Sequence, residues 1–347
     1  MEGRDMADLE LPDGLRDDLR AAWHCYVDLL APLRPTLHGY CSRLTGNLWD
    51  AEDLVQDTLL RAFGTLGSIF TRIENPRAYL LRTATNLWID TVRRRGNEAT
   101  ALAEQAPLAT SIDAEAAGAV RDAGTVLLQR LAPQERAAVV LKELFDYRLE
   151  EIAEVLATTV GAVKAALHRG RTRLREPEGE AASRRPVPSV ALVDRFVAAY
   201  AAADVPGLIG LMLDTGSVEN VGCSVDVGPF APDRGWFYHA VHGHPEWPAQ
   251  FAYESARLER RLFQGEPLAL GFCTRRGREA LEQVLRFEEQ DGRIVRLRGY
   301  AFCPETMRAI GAELDLKVRT GLYRFPTPEP GKLWADVTPA TTEGERR

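Results

Sequence analysis

Between Val155 and Arg175 the chain carries five Lys or Arg and no acid, directly after a stretch holding Glu150, Glu151 and Glu154. This segment constrains the fold more than any other. Pro133 opens a helix that runs through Phe145. Leu149 to Leu156 reads as a short helix with Ile152, Ala153 and Leu156 inward. Ala157-Thr158-Thr159 makes a turn, and a threonine there suits the cap of the next helix. That helix places Val160, Val163, Leu167, Gly170 and Leu174 on one face, at spacings of three, four, three and four. Its other face carries Gly161, Lys164, His168, Arg171 and Arg175, with Arg169 and Arg173 beside it. Two short helices joined by a tight turn, the second apolar inside and basic outside, describe a helix-turn-helix. A generic surface helix alternates its charges, so DNA is the expected partner. Gly161, Ala162 and Ala165 let the backbone approach closely. The turn from Thr159 to Lys164 is expected to read base edges, and Arg169, Arg171 and Arg173 to hold phosphates.

The overall charge argues the other way. The 347 residues contain 43 Lys or Arg and 50 Asp or Glu, a net charge of −7. Residues 1–178 alone hold 22 basic and 27 acidic residues. An acidic surface repels nucleic acid on average, so any DNA contact must come from locally gathered cations. With 45% hydrophobic and 27% charged residues, the composition is that of an ordinary globular chain. Its length suggests two or three domains. No apolar run reaches the roughly 20 residues a bilayer span needs. The N-terminal twenty residues are acidic and lack the apolar core of a signal peptide. Cys25, Cys41, Cys223, Cys273 and Cys303 are five scattered thiols without a C-x-x-C pair, which reads as a reduced, cytoplasmic protein. His38 lies three residues before Cys41, but no second pair completes a zinc site, and no metal is expected.

Composition divides the chain into six parts. Residues 15–95 and 122–176 read as two helical domains. Residues 96–121 are small, acidic and irregular, as in a linker. Residues 177–188, with Pro177, Pro186 and Pro188, form a second break. Residues 189–325 mix helix and strand signals. The proline-rich end, 326–347, reads as a flexible tail.

Two helices in the first part carry charge in patterns that need explaining. Asp50 to Leu66 is amphipathic, with Asp50 at the N-cap. Asp50, Asp53 and Asp57 share a face beside Glu52 and Gln56. These residues fit either a well-capped solvated face or a docking face for a basic partner. The next helix runs from Pro76 to about Arg95 and buries Leu81, Ala84, Trp88 and Val92. Its opposite stripe is Arg82, Asn86, Asp90 and Arg93, closed by Arg94 and Arg95. Those cations answer the helix dipole, and they also fit phosphates and base edges.

Taken together, two blocks resemble the extracytoplasmic-function (ECF) sigma factors of bacterial RNA polymerase. Trp49-Asp50-Ala51-Glu52-Asp53-Leu54-Val55-Gln56-Asp57-Thr58, with Asn75-Pro76-Arg77-Ala78-Tyr79-Leu80-Leu81-Arg82 and the arginine run after Asp90, looks like sigma region 2. Leu131-Ala132-Pro133-Gln134-Glu135-Arg136 through Arg173 looks like sigma region 4. The resemblance implies two partners, core RNA polymerase and promoter DNA. It assigns Asp50, Glu52, Asp53, Gln56 and Asp57 to docking on the polymerase clamp helices. It assigns Arg82, Asn86, Arg93 and Arg94 to the −10 element. Thr159, Gly161, Lys164, His168, Arg169, Arg171 and Arg173 fall to the −35 element. Trp88 or Tyr79 could stack on single-stranded DNA but also suit a core. No catalytic residue, cofactor or membrane contact is implied.

The last part continues where minimal members of that family stop. Two amphipathic helices begin at Val190 and at Asp204-Val205-Pro206-Gly207. Ser217 to Val221, Glu279 to Glu288 and Ile294 to Tyr300 read as strands, the last two joined by the Gln290-Asp291-Gly292-Arg293 hairpin turn. The element order resembles a SnoaL-like α+β cone, the fold of nuclear transport factor 2. Such a cone often encloses a pocket for a small-molecule ligand, with His239, His242, His244, Glu219, Asp226 and Tyr253 as its polar candidates. A fused domain acts at high effective concentration, so it can regulate the sigma regions in cis and substitute for a separate anti-sigma factor. Two alternatives are a cyclase or hydrolase fused to a DNA-binding module, and a conventional helix-turn-helix repressor. The first needs a positioned acid–base pair. The second leaves the acidic and basic helices of the first part without a purpose.

Overall fold

Asn47 starts the helix that organises the molecule. In the computed structural model, which describes residues 15–66, 73–103, 128, 130–175, 187–243 and 253–321, this helix spans Leu48–Leu66. The Asn47 side chain accepts the Asp50 N–H at 2.8 Å and donates to the Asp50 carboxylate at 2.6 Å. The cap is therefore Asn47 and not Asp50, and the helix begins two residues earlier than the acidic pattern suggests. Asparagine and aspartate are equally good caps, so the spacing alone misplaced the start. Asp50 instead becomes a first-turn carboxylate facing the positive end of the dipole.

Four helices form the first block: α1 (Leu15–Leu30), α2 (Arg34–Thr45), α3 (Leu48–Leu66) and α4 (Pro76–Ala103). The last of these continues eight residues past Arg95. The alanine-rich run Ala99-Thr100-Ala101-Leu102-Ala103 offsets the cost of Gly96, about 1 kcal/mol relative to alanine. The second block holds α5 (Pro133–Val139), which continues as a wider π-turn over Val140–Leu144, then α6 (Leu149–Val155) and α7 (Val160–Leu174). Glycine at 170 allows α7 to lie against α5, because a Cβ there would sit 2.8 Å from Val139 Cγ2.

The two blocks share one core. Leu37, Tyr40, Val55, Leu81 and Ala84 pack in the same buried cluster as Val140, Leu141, Ile152 and Val163. Each large apolar side chain so buried contributes about 1.5–3 kcal/mol. Arg136 fastens the seam. Its Nη1 donates to the Leu44 carbonyl at 2.6 Å, and its guanidinium lies 5.0 Å from the centre of the Trp88 ring. Burial pulls this guanidinium down to about 10.

The C-terminal block opens with α8 (Val190–Ala201), capped by Ser189, and α9 (Val205–Gly210), capped by Asp204. Six strands follow in one sheet: β1 (Met212–Asn220), β2 (Ser224–Val227), β3 (Ser255–Phe263), β4 (Glu266–Arg275), β5 (Arg278–Gln290) and β6 (Arg293–Gly299). Helices α10 (Gly235–His242) and α11 (Pro304–Glu313) complete the block. The strand order is β2-β1-β6-β5-β4-β3. All pairings are antiparallel except β1 with β6. Asp291 and Gly292 both adopt positive φ, as the expected tight hairpin turn requires. The fold is thus two all-α domains followed by an α+β domain. One side of the sheet packs on α8, where Phe196 meets Phe287 edge to face at 5.1 Å. A second cluster gathers Leu268, Leu270, Leu281 and Val284 with Met307 and Ile310 of α11, and Trp49 of α3 belongs to it. Among the described residues, no helix is long and apolar enough to cross a membrane.

Candidate functional site

Helix α3 carries the five acidic and amide residues expected to dock on a partner, and the sheet domain sits on that face. Glu52 is fully buried. Its carboxylate takes Arg34 Nη2 at 2.5 Å, Gln56 Nε2 at 2.7 Å and the Thr306 hydroxyl of α11 at 2.7 Å. His38 Nε2 lies 3.7 Å away. Burial alone raises this carboxyl, but Arg34, His38, Thr306 and Gln56 outweigh it and hold Glu52 below the usual carboxylate range. Arg34 also pairs with Glu305 of α11.

Asp53 meets Arg298 Nη2 of β6 at 2.5 Å, and Glu219 of β1 holds the same guanidinium from its other side at 2.9 Å. Burial opposes the Arg298 cation, but Tyr300, Asp53 and Glu219 overcome this and raise its pKa. Gln56 lies against Gly222, where a Cβ would stand 2.8 Å from Gln56 Oε1. Asp57 remains exposed at the edge, its pKa raised by partial burial and by Asp53. Asp50 is held by Asn47. Trp49 enters the sheet domain, and its indole N–H donates to Glu266 at 3.0 Å.

The basic helices are covered differently. On α4, Asn86, Arg93 and Arg94 are exposed, whereas Arg82 donates to the Glu154 carbonyl of α6. Trp88 is buried beneath Arg136 and is a core residue here. A cleft of about 320 Å³ lies along this seam, lined by Arg77, Tyr147, Glu151 and Glu154 among others. On α7, the Thr159 hydroxyl accepts the Ala162 N–H at 3.2 Å, which caps the helix. Gly161, Lys164 and His168 are exposed. Arg169 and Arg173 both pair with Glu135, at 2.9 and 2.5 Å, and Arg171 pairs with Glu143 at 2.5 Å. The expected phosphate-holding arginines therefore also brace α7 against the helix beneath it.

The polar candidates of the sheet domain do not converge. Glu219 serves the Arg296 and Arg298 guanidiniums. His239 bonds to the Gly243 carbonyl at the end of α10, and His242 stacks near Tyr238. Asp226 lies on the short strand β2, and Tyr253 lies under Arg275. His244 is outside the described residues. No group of three or more His, Cys, Asp or Glu able to hold a metal occurs among the described residues.

Sequence reasoning gave Trp49 no role of its own, weighed His38 only as a zinc ligand, and passed over Arg34, Glu266, Arg286, Arg298 and Thr306. Trp49 opens the acidic motif, and a tryptophan ahead of a run of acids is a costly surface residue unless something covers it. That was the available signal. The others belong to elements far apart in sequence, and only the fold joins them.

Both helical domains match known sigma-factor families. Residues 29–98 match the family model for sigma-70 region 2, and residues 125–174 match sigma-70 region 4. The ECF RNA polymerase sigma factor EcfG of Rhodopseudomonas palustris is 30% identical over 167 residues, covering 48% of this chain and 86% of that protein. SigG of Mycobacterium tuberculosis is 29% identical over 273 residues, covering 69% of this chain and 70% of that protein. The crystal structure of SigJ from the same organism aligns over 81% of this chain and 98% of its own, with 23% identity and a TM-score of 0.31. The chain belongs to the ECF sigma factors of bacterial RNA polymerase. It binds core polymerase and promoter DNA to start transcription, and the relatives named above are RNA polymerase sigma factors.

Proposed function

We propose that this sigma factor is held in a closed, polymerase-incompetent state by its own C-terminal domain. The observation that carries the reading is the burial of Glu52 and the pairing of Asp53 under α11 and β6. The family resemblance gives these residues to polymerase docking. A helix face cannot serve polymerase and the sheet domain together. Docking on core then requires the sheet domain to leave α3. The seam between α4 and α6 holds a second restraint, since Arg82, assigned to the −10 element, is engaged by Glu154. In the open form, α4 presents Arg82, Asn86, Arg93 and Arg94 to the −10 element. The recognition helix α7 presents Thr159, Gly161, Lys164 and His168 to the −35 element, with Arg169, Arg171 and Arg173 toward phosphates. The protein works beside polymerase in the cytoplasm.

The test is run-off transcription with core polymerase and the Arg298→Ala chain. This change removes the cation from between Asp53 and Glu219. The expected result is tighter core binding and more promoter-dependent transcript than wild type. Unchanged or reduced activity in a folded Arg298→Ala chain would overturn the cis-inhibition reading. Absence of promoter-dependent transcript from every variant and truncation would overturn the sigma assignment itself.

A further inference from the structure

The contact made by Trp49 has the features of a ligand site, and the closed state has a side chain of this same chain seated in it. The indole lies between two rings of the sheet domain, with centroids 5.9 Å from Phe263 and 4.9 Å from Tyr300. Arg286 stands 5.1 Å from the indole centroid. Glu266 accepts the indole N–H through Oε2 and binds Arg286 Nε through Oε1 at 2.6 Å. Both charged side chains are nearly sealed from solvent, at 10% and 5% exposure. A buried carboxylate and guanidinium are expensive to desolvate, and a packing role alone needs neither. Their arrangement specifies an occupant: a flat aromatic body, electron-rich over the guanidinium, with one N–H directed at the carboxylate. The Tyr300 hydroxyl supplies an independent sign. It is fully buried and has no hydrogen-bond partner among the described residues.

We propose that this socket is a binding site for a small bicyclic N–H heteroaromatic, and that the ligand opens the protein by displacing Trp49. The inference rests on the reading that polymerase and the sheet domain compete for α3. Trp49 leads that helix, so a ligand in the socket and a closed α3 exclude each other. The ligand needs differential affinity for the open form to shift the balance, and it has it, because the closed form offers it no room. The site makes no bond-breaking demand on its occupant.

Indole is the probe. It is titrated by calorimetry into the full-length Trp49→Ala protein, with circular dichroism as the check of folding. One-to-one binding is expected. 1-Methylindole keeps the ring but lacks the N–H that Glu266 accepts, and it should bind about tenfold more weakly. The functional arm measures core-polymerase binding. Indole should increase core binding by the wild-type chain, where it competes with Trp49. It should decrease core binding by Trp49→Ala, where it refills the gap and restores closure. The Glu266→Gln chain should lose the wild-type response. It carries the test if Trp49→Ala does not fold. No saturable indole binding to folded Trp49→Ala, or equal binding of the two indoles, overturns the site. Binding without any change in wild-type core binding overturns the displacement. The calorimetric arm contains no polymerase, so failure of the competition between polymerase and the sheet domain leaves its result intact.

Discussion

Glu135 shows why the charge on the recognition helix overstates what is free to meet DNA. Its carboxylate is almost fully buried and holds two of the arginines of α7, while a third is held by Glu143. Lys164 is exposed in the second turn of that helix, toward the end that reads base edges in helix-turn-helix proteins, and His168 is exposed at its middle. Lys164→Ala should therefore weaken binding to a −35 duplex by about 1–3 kcal/mol if Lys164 contacts a base. Arg169→Ala should cost less DNA affinity and more stability, since it leaves half of a buried carboxylate unpaired. Titration of labelled duplex against each variant, beside its thermal unfolding, separates the two effects. A larger affinity loss for Arg169→Ala reverses the assignment. Gly170 gives a cleaner stability forecast. Alanine there forces Val139 away from the helix crossing, and overpacking of this kind costs about 1–3 kcal/mol. Thermal unfolding of Gly170→Ala should show the second block destabilised, with no glycine-to-alanine gain in helix propensity visible.

Among the elements, those whose burial follows from local periodicity were legible, and those whose partners are remote were not. The apolar spacing of α7 and the cap at Thr159 could be read directly. So could the Asp291-Gly292 hairpin and the starts of α8 and α9. The parallel pairing of β1 with β6 could not, because it joins segments about eighty residues apart and leaves no local pattern. The acidic face of α3 was legible as a docking face, but nothing in its spacing says that α11 and β6 dock there first. That contact has a pH dependence that the separate helices lack. His38 sits below its ordinary value because burial disfavours the cation; Glu52 pulls it up and Arg34 pushes it down. The groups facing it are Arg34, Glu52 and Ser42 from its own block and Thr306 from α11, while Glu305 of α11 pairs with Arg34. A base with a lowered pKa in the closed state gains its proton more readily when the contact opens. Closure is thus fully stable above the ordinary histidine value of about 6.5 and weakens as pH falls below it. Glu52 has the same sign lower down: its contribution is present above about 4.5 and is lost as pH falls through its depressed value. Limited proteolysis should find the closed form more susceptible at about pH 5.5 than at pH 7.5. His38→Gln should flatten that difference. A wild-type profile unchanged across this range would remove His38 from the closing contact.

Across the whole chain, the acidic net charge and the extra domain have one explanation. The cations assigned to DNA are few, and several are engaged by acids of the protein itself. The acids assigned to polymerase docking are covered by a domain carrying complementary groups, Arg298 and Thr306. Such a molecule should bind DNA poorly alone, because its average field is repulsive and the helix assigned to the −10 element is partly closed. On the proposed reading it becomes competent when core polymerase displaces the sheet domain and supplies the remaining contacts. The two helical domains have an apolar core separate from both clusters of the sheet domain, apart from the crossing made by Trp49 and its neighbour Leu48. Cutting the chain near Pro177 should therefore leave a helical fragment with its main core complete. An intramolecular inhibitor acts at an effective concentration of order millimolar. Its removal should raise core affinity by a factor much larger than Arg298→Ala does, because the Trp49, Glu52 and Asp53 contacts are lost together. Adding the severed C-terminal domain back in trans at micromolar concentration should restore little of the inhibition. Equilibrium binding of core polymerase to the intact and cut chains measures both effects. Equal affinities would show that the sheet domain merely rests on α3 and that polymerase docks elsewhere.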